Sequence, residues 1–143
     1  MARLKYRPEK GRNGACMAGR MTLVARRARP ILIVDDDPDI LAVERQVLAE
    51  HGFRVREAHD GAEALRAMDA EPPAMIVLDV QMPGIDGPTF ARELRMRLRH
   101  VPLVIVTGVA DPKREADRCN AEAFLSKPFD AEELLRLVRR FSV

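Results

Sequence analysis

The stretch Ile31-Leu32-Ile33-Val34-Asp35-Asp36-Asp37-Pro38 decides how the rest of the chain is read. Four consecutive aliphatic residues with no polar alternation are the pattern of a strand buried on both faces, as in a parallel sheet. The run stops at three acids. Asp37 before Pro38 reads as an N-cap followed by the first position of a helix: the carboxylate accepts from an unpaired helix amide, and proline lacks an N–H that would go unused there. A strand that passes directly into a helix through a carboxylate cluster is one half of a βαβ unit, with charge gathered at the strand's carboxyl end.

The same unit recurs along the chain. The first helix is expected to place Ile40, Val43, Val47 and Leu48 on one face and to stop near Gly52, a C-cap. Phe53 to Glu57 alternates like a second strand, and Asp60 with Glu63 resembles a capping box opening a helix through about Ala70. Met75-Ile76-Val77-Leu78 reads as a third strand ending directly at Asp79. After the loop Met82-Pro83-Gly84-Ile85-Asp86-Gly87, Pro88 starts a helix reaching about Arg99. Val101 to Val106 is a fourth strand ending at Thr107-Gly108, Asp111-Pro112 opens a short helix, and Ala123-Phe124-Leu125 is a brief fifth strand. Asp130 caps a last helix with Leu134, Leu135, Val138 and Phe141 facing inward. Five strands each followed by a helix imply a doubly wound parallel α/β sheet with right-handed crossovers.

Composition agrees with one domain. The chain has 143 residues, 47% hydrophobic and 32% charged, with 4% aromatics and no Trp, so the core must be aliphatic. No apolar run approaches the roughly 20 residues of a membrane-spanning helix. Cys16 and Cys119 have neither metal-ligand spacing nor a disulfide framework and read as reduced thiols in the cytoplasm. The formal charge of +2 hides an asymmetry, because residues 1–29 hold nine of the 24 basic residues and only Glu9 of the 22 acids. A basic, Gly- and Arg-containing leader, expected to be disordered, therefore precedes an acidic domain over residues 30–143. Three readings of the leader compete: diffuse binding to nucleic acid or an acidic partner, targeting (though it lacks the apolar stretch of a secretory signal), or no function, with translation starting at Met17 or Met21.

In open parallel sheets, ligands bind beyond the carboxyl ends of the strands. Collected there are Asp35 and Asp36, Asp79, Thr107 and Lys127. Three carboxylates in a partly desolvated cleft repel one another, and a hard divalent cation with oxygen ligands relieves that repulsion. Mg²⁺ suits such a site, since it takes one or two carboxylates and keeps waters and phosphate oxygens. Lys127 can pair with a carboxylate or a phosphoryl oxygen, and the Thr107 hydroxyl can donate to another. Taken singly, an acid run is commonly a solvated helix cap and a lone Thr or Lys says little. Their shared position at successive strand ends is the informative feature.

These segments resemble the receiver domains of two-component response regulators. The matching stretches are Ile31–Pro38, Val77-Leu-Asp-Val-Gln-Met-Pro-Gly-Ile-Asp-Gly87, Val106-Thr107-Gly108, and Phe124-Leu-Ser-Lys-Pro-Phe-Asp130, so only the leader is left unmatched. The resemblance implies a flavodoxin-like five-stranded sheet of order 2-1-3-4-5 with five helices. It implies that Asp79 accepts a phosphoryl group from a phosphohistidine on a sensor histidine kinase or a histidine phosphotransfer protein. Asp36, Asp79 and the Gln81 backbone carbonyl would hold Mg²⁺, with Asp35 acting mainly through water. Metal and Lys127 would neutralise charge on the transferring group. Lys127-Pro128 would be a cis peptide. Thr107 would move toward the phosphoryl oxygen and Phe124 would turn inward, coupling the site to the surface of the fourth helix, fifth strand and fifth helix. Such a protein catalyses only its own phosphorylation and dephosphorylation. It would be a cytoplasmic monomer or phosphorylation-dependent dimer, without membrane or nucleic-acid partners. With no output segment after Val143 in this sequence, it is expected to stand alone and act through a separate effector protein.

Some positions depart from the family pattern. Position 124, often Tyr, is Phe and offers no hydroxyl. The 20-residue spacing from Thr107 to Lys127 is short, which places the difference around the fourth helix. Asn120 stands where Gly is usual, and Asn tolerates the left-handed conformation better than most residues. Apolar Val109 beside the site is expected to assist hydrolysis poorly, giving a long-lived phosphorylated form. Rival readings are a receiver-like module that binds partners without phosphorylation, a nucleic-acid-binding protein acting through the leader, and a haloacid-dehalogenase-type phosphohydrolase. The last wants an acid two residues after its nucleophile, where this chain has Gln81.

Overall fold

The structure is a computed structural model that describes residues 28–142. Most of the proposed leader, residues 1–27 with Cys16, lies outside the described residues, as does Val143. Five strands, β1 (Ile31–Val34), β2 (Val55–Ala58), β3 (Met75–Asp79), β4 (Leu103–Thr107) and β5 (Ala123–Ser126), form one parallel sheet of order β2-β1-β3-β4-β5. Between and after them come α1 (Pro38–Glu50), α2 (Gly61–Ala70), α3 (Gly87–Arg97), α4 (Pro112–Arg118) and α5 (Ala131–Phe141). Among the described residues the expected strand order and helix number hold.

Two apolar layers sandwich the sheet. Ile31 and Ile33 of β1 face one way and pack with Met75, Val77, Val104 and Val106 against Leu41 and Leu48 of α1 and Leu134, Leu135 and Val138 of α5. Leu32 and Val34 face the other way, packing with Ile76, Leu78, Leu103 and Ile105 against α2, α3 and α4 through Met68, Phe90, Leu94 and Ala116. Every residue of β1, β3 and β4 is buried, which is why those strands lack polar alternation.

Capping by aspartate follows the sequence, but the Asp60–Glu63 capping box closes only from the Asp60 side, because the Glu63 carboxylate pairs with His59. The side chains of Asp37, Asp60, Asp86, Asp111 and Asp130 accept from backbone amides two or three residues on, at 2.7–3.1 Å. α1 ends in a Schellman motif: Gly52 takes φ 86°, its N–H donates to Ala49 O, and the Phe53 N–H donates to Leu48 O at 3.1 Å. α4 ends the same way, with Asn120 at φ 54° and the Ala121 N–H donating to Ala116 O, as the Asn at that turn implied.

Three expectations need correcting. β2 begins at Val55 rather than Phe53, because the Phe53 amide is spent on closing α1. β4 begins at Leu103 rather than Val101, since Pro102 has no N–H to give the ladder, although its carbonyl accepts from Ile76. Val43 does not face inward: it is 62% exposed, and the row of α1 against the sheet is Leu41, Glu44 and Leu48.

Candidate functional site

The carboxyl ends of β1, β3, β4 and β5 converge, and with them the acids and the lysine singled out in the sequence. Asp35 and Asp79 are buried while Asp36 is exposed, and carboxylate oxygens from all three lie within 4.8 Å of one another. Lys127, just past β5, reaches back with its Nζ 3.0 Å from Asp79 Oδ2 and 3.7 Å from Asp35 Oδ2. Among the described residues, one ammonium thus pairs with two of the three clustered carboxylates, and the cluster stays net negative. Burial raises the Asp35 pKa above the usual carboxylate value, and the charges of Asp79 and Asp36 add to this, against the Asp37 amide and Lys127. At Lys127 burial opposes the charge, but the hydrogen bond to Asp79 and the fields of Asp79 and Asp35 outweigh it and raise the pKa.

Local hydrogen bonds fix the acids in place. The Asp37 N–H donates to Asp35 Oδ1 at 2.9 Å, and the Gln81 N–H donates to Asp79 Oδ1 at 2.9 Å. Asp79 thus offers one oxygen to a backbone amide and the other to Lys127. Thr107 is fully buried and its Oγ1 accepts from the Val109 N–H at 3.1 Å, while its carbonyl accepts from the Lys127 N–H at 2.9 Å. That last bond ties the lysine's backbone to the end of β4, and the Lys127-Pro128 peptide is cis. The Gln81 side chain crosses from the loop after β3 to the loop after β4, where its Oε1 accepts from the Gly108 N–H at 2.8 Å.

Every sequence-selected residue of the cleft is brought to it: Asp35, Asp36, Asp79, Gln81, Thr107 and Lys127. Phe124 is not in the cleft. It sits on β5 opposite Ile105, exposed, with β4 between it and the strand that ends in Asp79.

Sequence reading missed Glu44. It is only 4% exposed on the sheet-facing row of α1, and burial, reinforced by the charge of Asp35, pushes its carboxyl up to about 7. The signal was available in the spacing Leu41-x-x-Glu44-x-x-x-Leu48, which puts the acid between two core leucines on one helix face.

An acidic triad of hard oxygen donors with too little positive charge nearby is a donor set for a divalent cation of the magnesium type rather than for a soft metal. A doubly wound sheet of this order takes its ligands beyond the carboxyl ends of the strands, at the switch point between β1 and β3, which is where these carboxylates gather and where Lys127 reaches in from the end of β5. Comparison with known proteins gives the family. The response regulator receiver domain family model matches residues 31–139, and the chain belongs to that family. Over 112 residues it is 38% identical to the response regulator MprA of Mycobacterium ulcerans, covering 76% of this chain and 48% of that protein. It is 36% identical to the C4-dicarboxylate transport transcriptional regulatory protein DctD of Pseudomonas aeruginosa, covering 77% of this chain and 24% of that one. The chain thus spans about half the length, or less, of these relatives. Among solved structures it is similar to the Vibrio cholerae chemotaxis protein CheY4, with 31% identity and TM-score 0.72 over 79% of this chain and 98% of that one. It is also similar to Thermotoga maritima TrrA in complex with Mg²⁺–BeF, with 28% identity and TM-score 0.71 over 79% of this chain and 98% of that chain. Among the described residues, no helix is long and apolar enough to cross a membrane.

Proposed function

We propose that this chain is a phosphoacceptor in two-component signalling, taking a phosphoryl group on Asp79 from a phosphohistidine of a kinase or phosphotransfer protein. The observation that carries this reading is the contact of Asp79 with Lys127 inside the three-carboxylate cluster. An oxygen of Asp79 attacks phosphorus, the P–O bond forms as the P–N bond breaks, and the electron pair leaves on the imidazole nitrogen. The chain's own contribution is placement and charge. The Gln81 amide fixes one Asp79 oxygen so that the other faces the donor, and Lys127 shifts from Asp79 to the phosphoryl oxygens as charge moves outward. Asp36, Asp79 and the Gln81 carbonyl would hold Mg²⁺, with Asp35 reaching it through water; a bound cation supplies further neutralisation of the phosphoryl oxygens.

Thr107 and Phe124 form the proposed switch. Thr107 Oγ1 now accepts from Val109, and turning it toward a phosphoryl oxygen would vacate space beside β5 that the Phe124 ring can fill. The resulting change at α4, β5 and α5 would be read by a separate effector. The working unit is taken as residues 30–143 after a basic leader, acting in the cytoplasm and turning over only its own acyl phosphate. Phosphorus NMR of the protein mixed with phosphoimidazole tests this. An acyl-phosphate resonance that needs Mg²⁺ supports the reading, and phosphoimidazole consumed no faster with the protein and Mg²⁺ than without the protein counts against it.

A further inference from the structure

Gln81 does more than cross the mouth of the site. Its main-chain N–H holds Asp79 Oδ1 at 2.9 Å while its side-chain oxygen holds the Gly108 N–H at 2.8 Å, so one residue joins the phosphoacceptor to the first residue beyond β4. Gly108 is built for that approach. A Cβ added there would lie 3.3 Å from Gln81 Oε1, closer than most side chains tolerate, and 3.9 Å from Lys127 Cβ. The Gly108 amide therefore sits beside the lysine that pairs with Asp79, at the edge where a phosphoryl group on Asp79 would project.

Such a group presents three oxygens to a rim with few donors. Lys127 Nζ supplies one contact and the Thr107 hydroxyl another. The next N–H groups along the chain are Gly108 and Val109, and both are occupied by side-chain oxygens, from Gln81 and Thr107. A phosphoryl oxygen is a stronger acceptor than a neutral carboxamide because its bond is charge-assisted. We propose that Gln81 is a resting-state latch on the β4 loop: its carboxamide oxygen occupies the Gly108 amide until an oxygen on phosphorylated Asp79 displaces it. The proposal rests on the phosphoacceptor reading above. Thr107 and Gln81 then release together, so the loop following β4 moves as one piece when the site is filled. Gln81 is a positioning residue in this account, acting through Gly108.

Removing the latch frees a competing acceptor, and one neutral, exposed hydrogen bond corresponds to about twofold to tenfold in an equilibrium. The test uses Gln81→Met, which keeps the length without the acceptor, and Gln81→Ala, which removes it. In metal-free protein, the Gly108 amide should exchange with water about twofold to tenfold faster in both variants, with the Val109 amide as internal reference. At saturating Mg²⁺, beryllofluoride should bind both variants about twofold to tenfold tighter than wild type. Unchanged Gly108 exchange, or equal or weaker beryllofluoride binding by both variants, overturns the latch. Wild-type protein that binds no beryllofluoride overturns the phosphoacceptor reading instead, while the exchange experiment still decides whether Gln81 holds Gly108.

Discussion

Glu44 offers the sharpest quantitative prediction, because its environment assigns both a sign and a size. Its carboxyl lies on the sheet-facing row of α1, between Leu41 and Leu48, with a pKa pushed from 4.5 to about 7 by burial first and then by the charge of Asp35, against the opposing charge of Lys127. In the unfolded chain the group ionises near its ordinary value. Between about pH 4.5 and 7 the folded protein therefore holds a proton that the unfolded chain has released, and stability falls as pH rises through that window. A tenfold change in proton affinity corresponds to about 1.4 kcal/mol, so ionising Glu44 in place costs ~2–4 kcal/mol, fully developed by about pH 8. Glu44→Gln keeps the shape and cannot ionise. Urea unfolding at pH 5 and pH 8 in EDTA, which keeps cations off the acidic cluster, should give similar stabilities for variant and wild type at pH 5. At pH 8 the variant should be the more stable by ~2–4 kcal/mol. Glu44→Leu should exceed it at both pH values, because the position then adds to the apolar layer. Parallel pH profiles for wild type and Glu44→Gln would refute the reasoning, since they would mean that the buried carboxyl finds water or a partner when it ionises.

Other consequences follow from the same geometry. Lys127→Ala removes the ammonium 3.0 Å from Asp79 that competes with a cation for the carboxylates, so Mg²⁺ should bind severalfold tighter by calorimetry while phosphorylation slows; weaker Mg²⁺ binding would contradict the charge count. Gly87→Ala places a Cβ 2.8 Å from Cys119 Sγ and 3.1 Å from Val80 Cγ1 at the start of α3. It should lower stability by ~1–3 kcal/mol in urea titrations, with part of the loss recovered in a Cys119→Ala background. Val109 lies exposed beside the cleft, and Val109→Glu should shorten the lifetime of the phosphorylated protein; an unchanged decay rate would remove any role for that side chain in admitting water.

The sequence carries some of these features openly and hides others. The strands buried on both faces announce themselves, because β1, β3 and β4 contain almost nothing but aliphatic residues. The caps do too, since an Asp before each helix has a local reason to be there. These place the ends of β1, β3 and β4, and so the meeting of Asp35, Asp36, Asp79 and Thr107; Lys127 follows the short, half-exposed β5 and is placed by the Lys127-Pro128 motif instead. Periodicity failed at α1, where Val43 fitted an apolar stripe and Glu44 did not. In the fold the true stripe runs through Leu41, Glu44 and Leu48, with an ionisable side chain where a core residue is expected. Strand starts failed at Phe53 and Val101, both buried as strand residues would be. There the backbone hydrogen bonds decide, and hydrophobicity carries no information about them. The Gln81 contact with Gly108 joins residues 27 apart and was invisible for the same reason: only the folded loops bring that carboxamide to that amide.

The central claim is that Asp79 is the phosphoacceptor, and intact-mass spectrometry after incubation with acetyl phosphate tests it most directly. A single phosphoryl adduct that requires Mg²⁺ and is lost in Asp79→Asn is the expected result. An adduct that persists in Asp79→Asn, or none under conditions that label a known receiver, would contradict it.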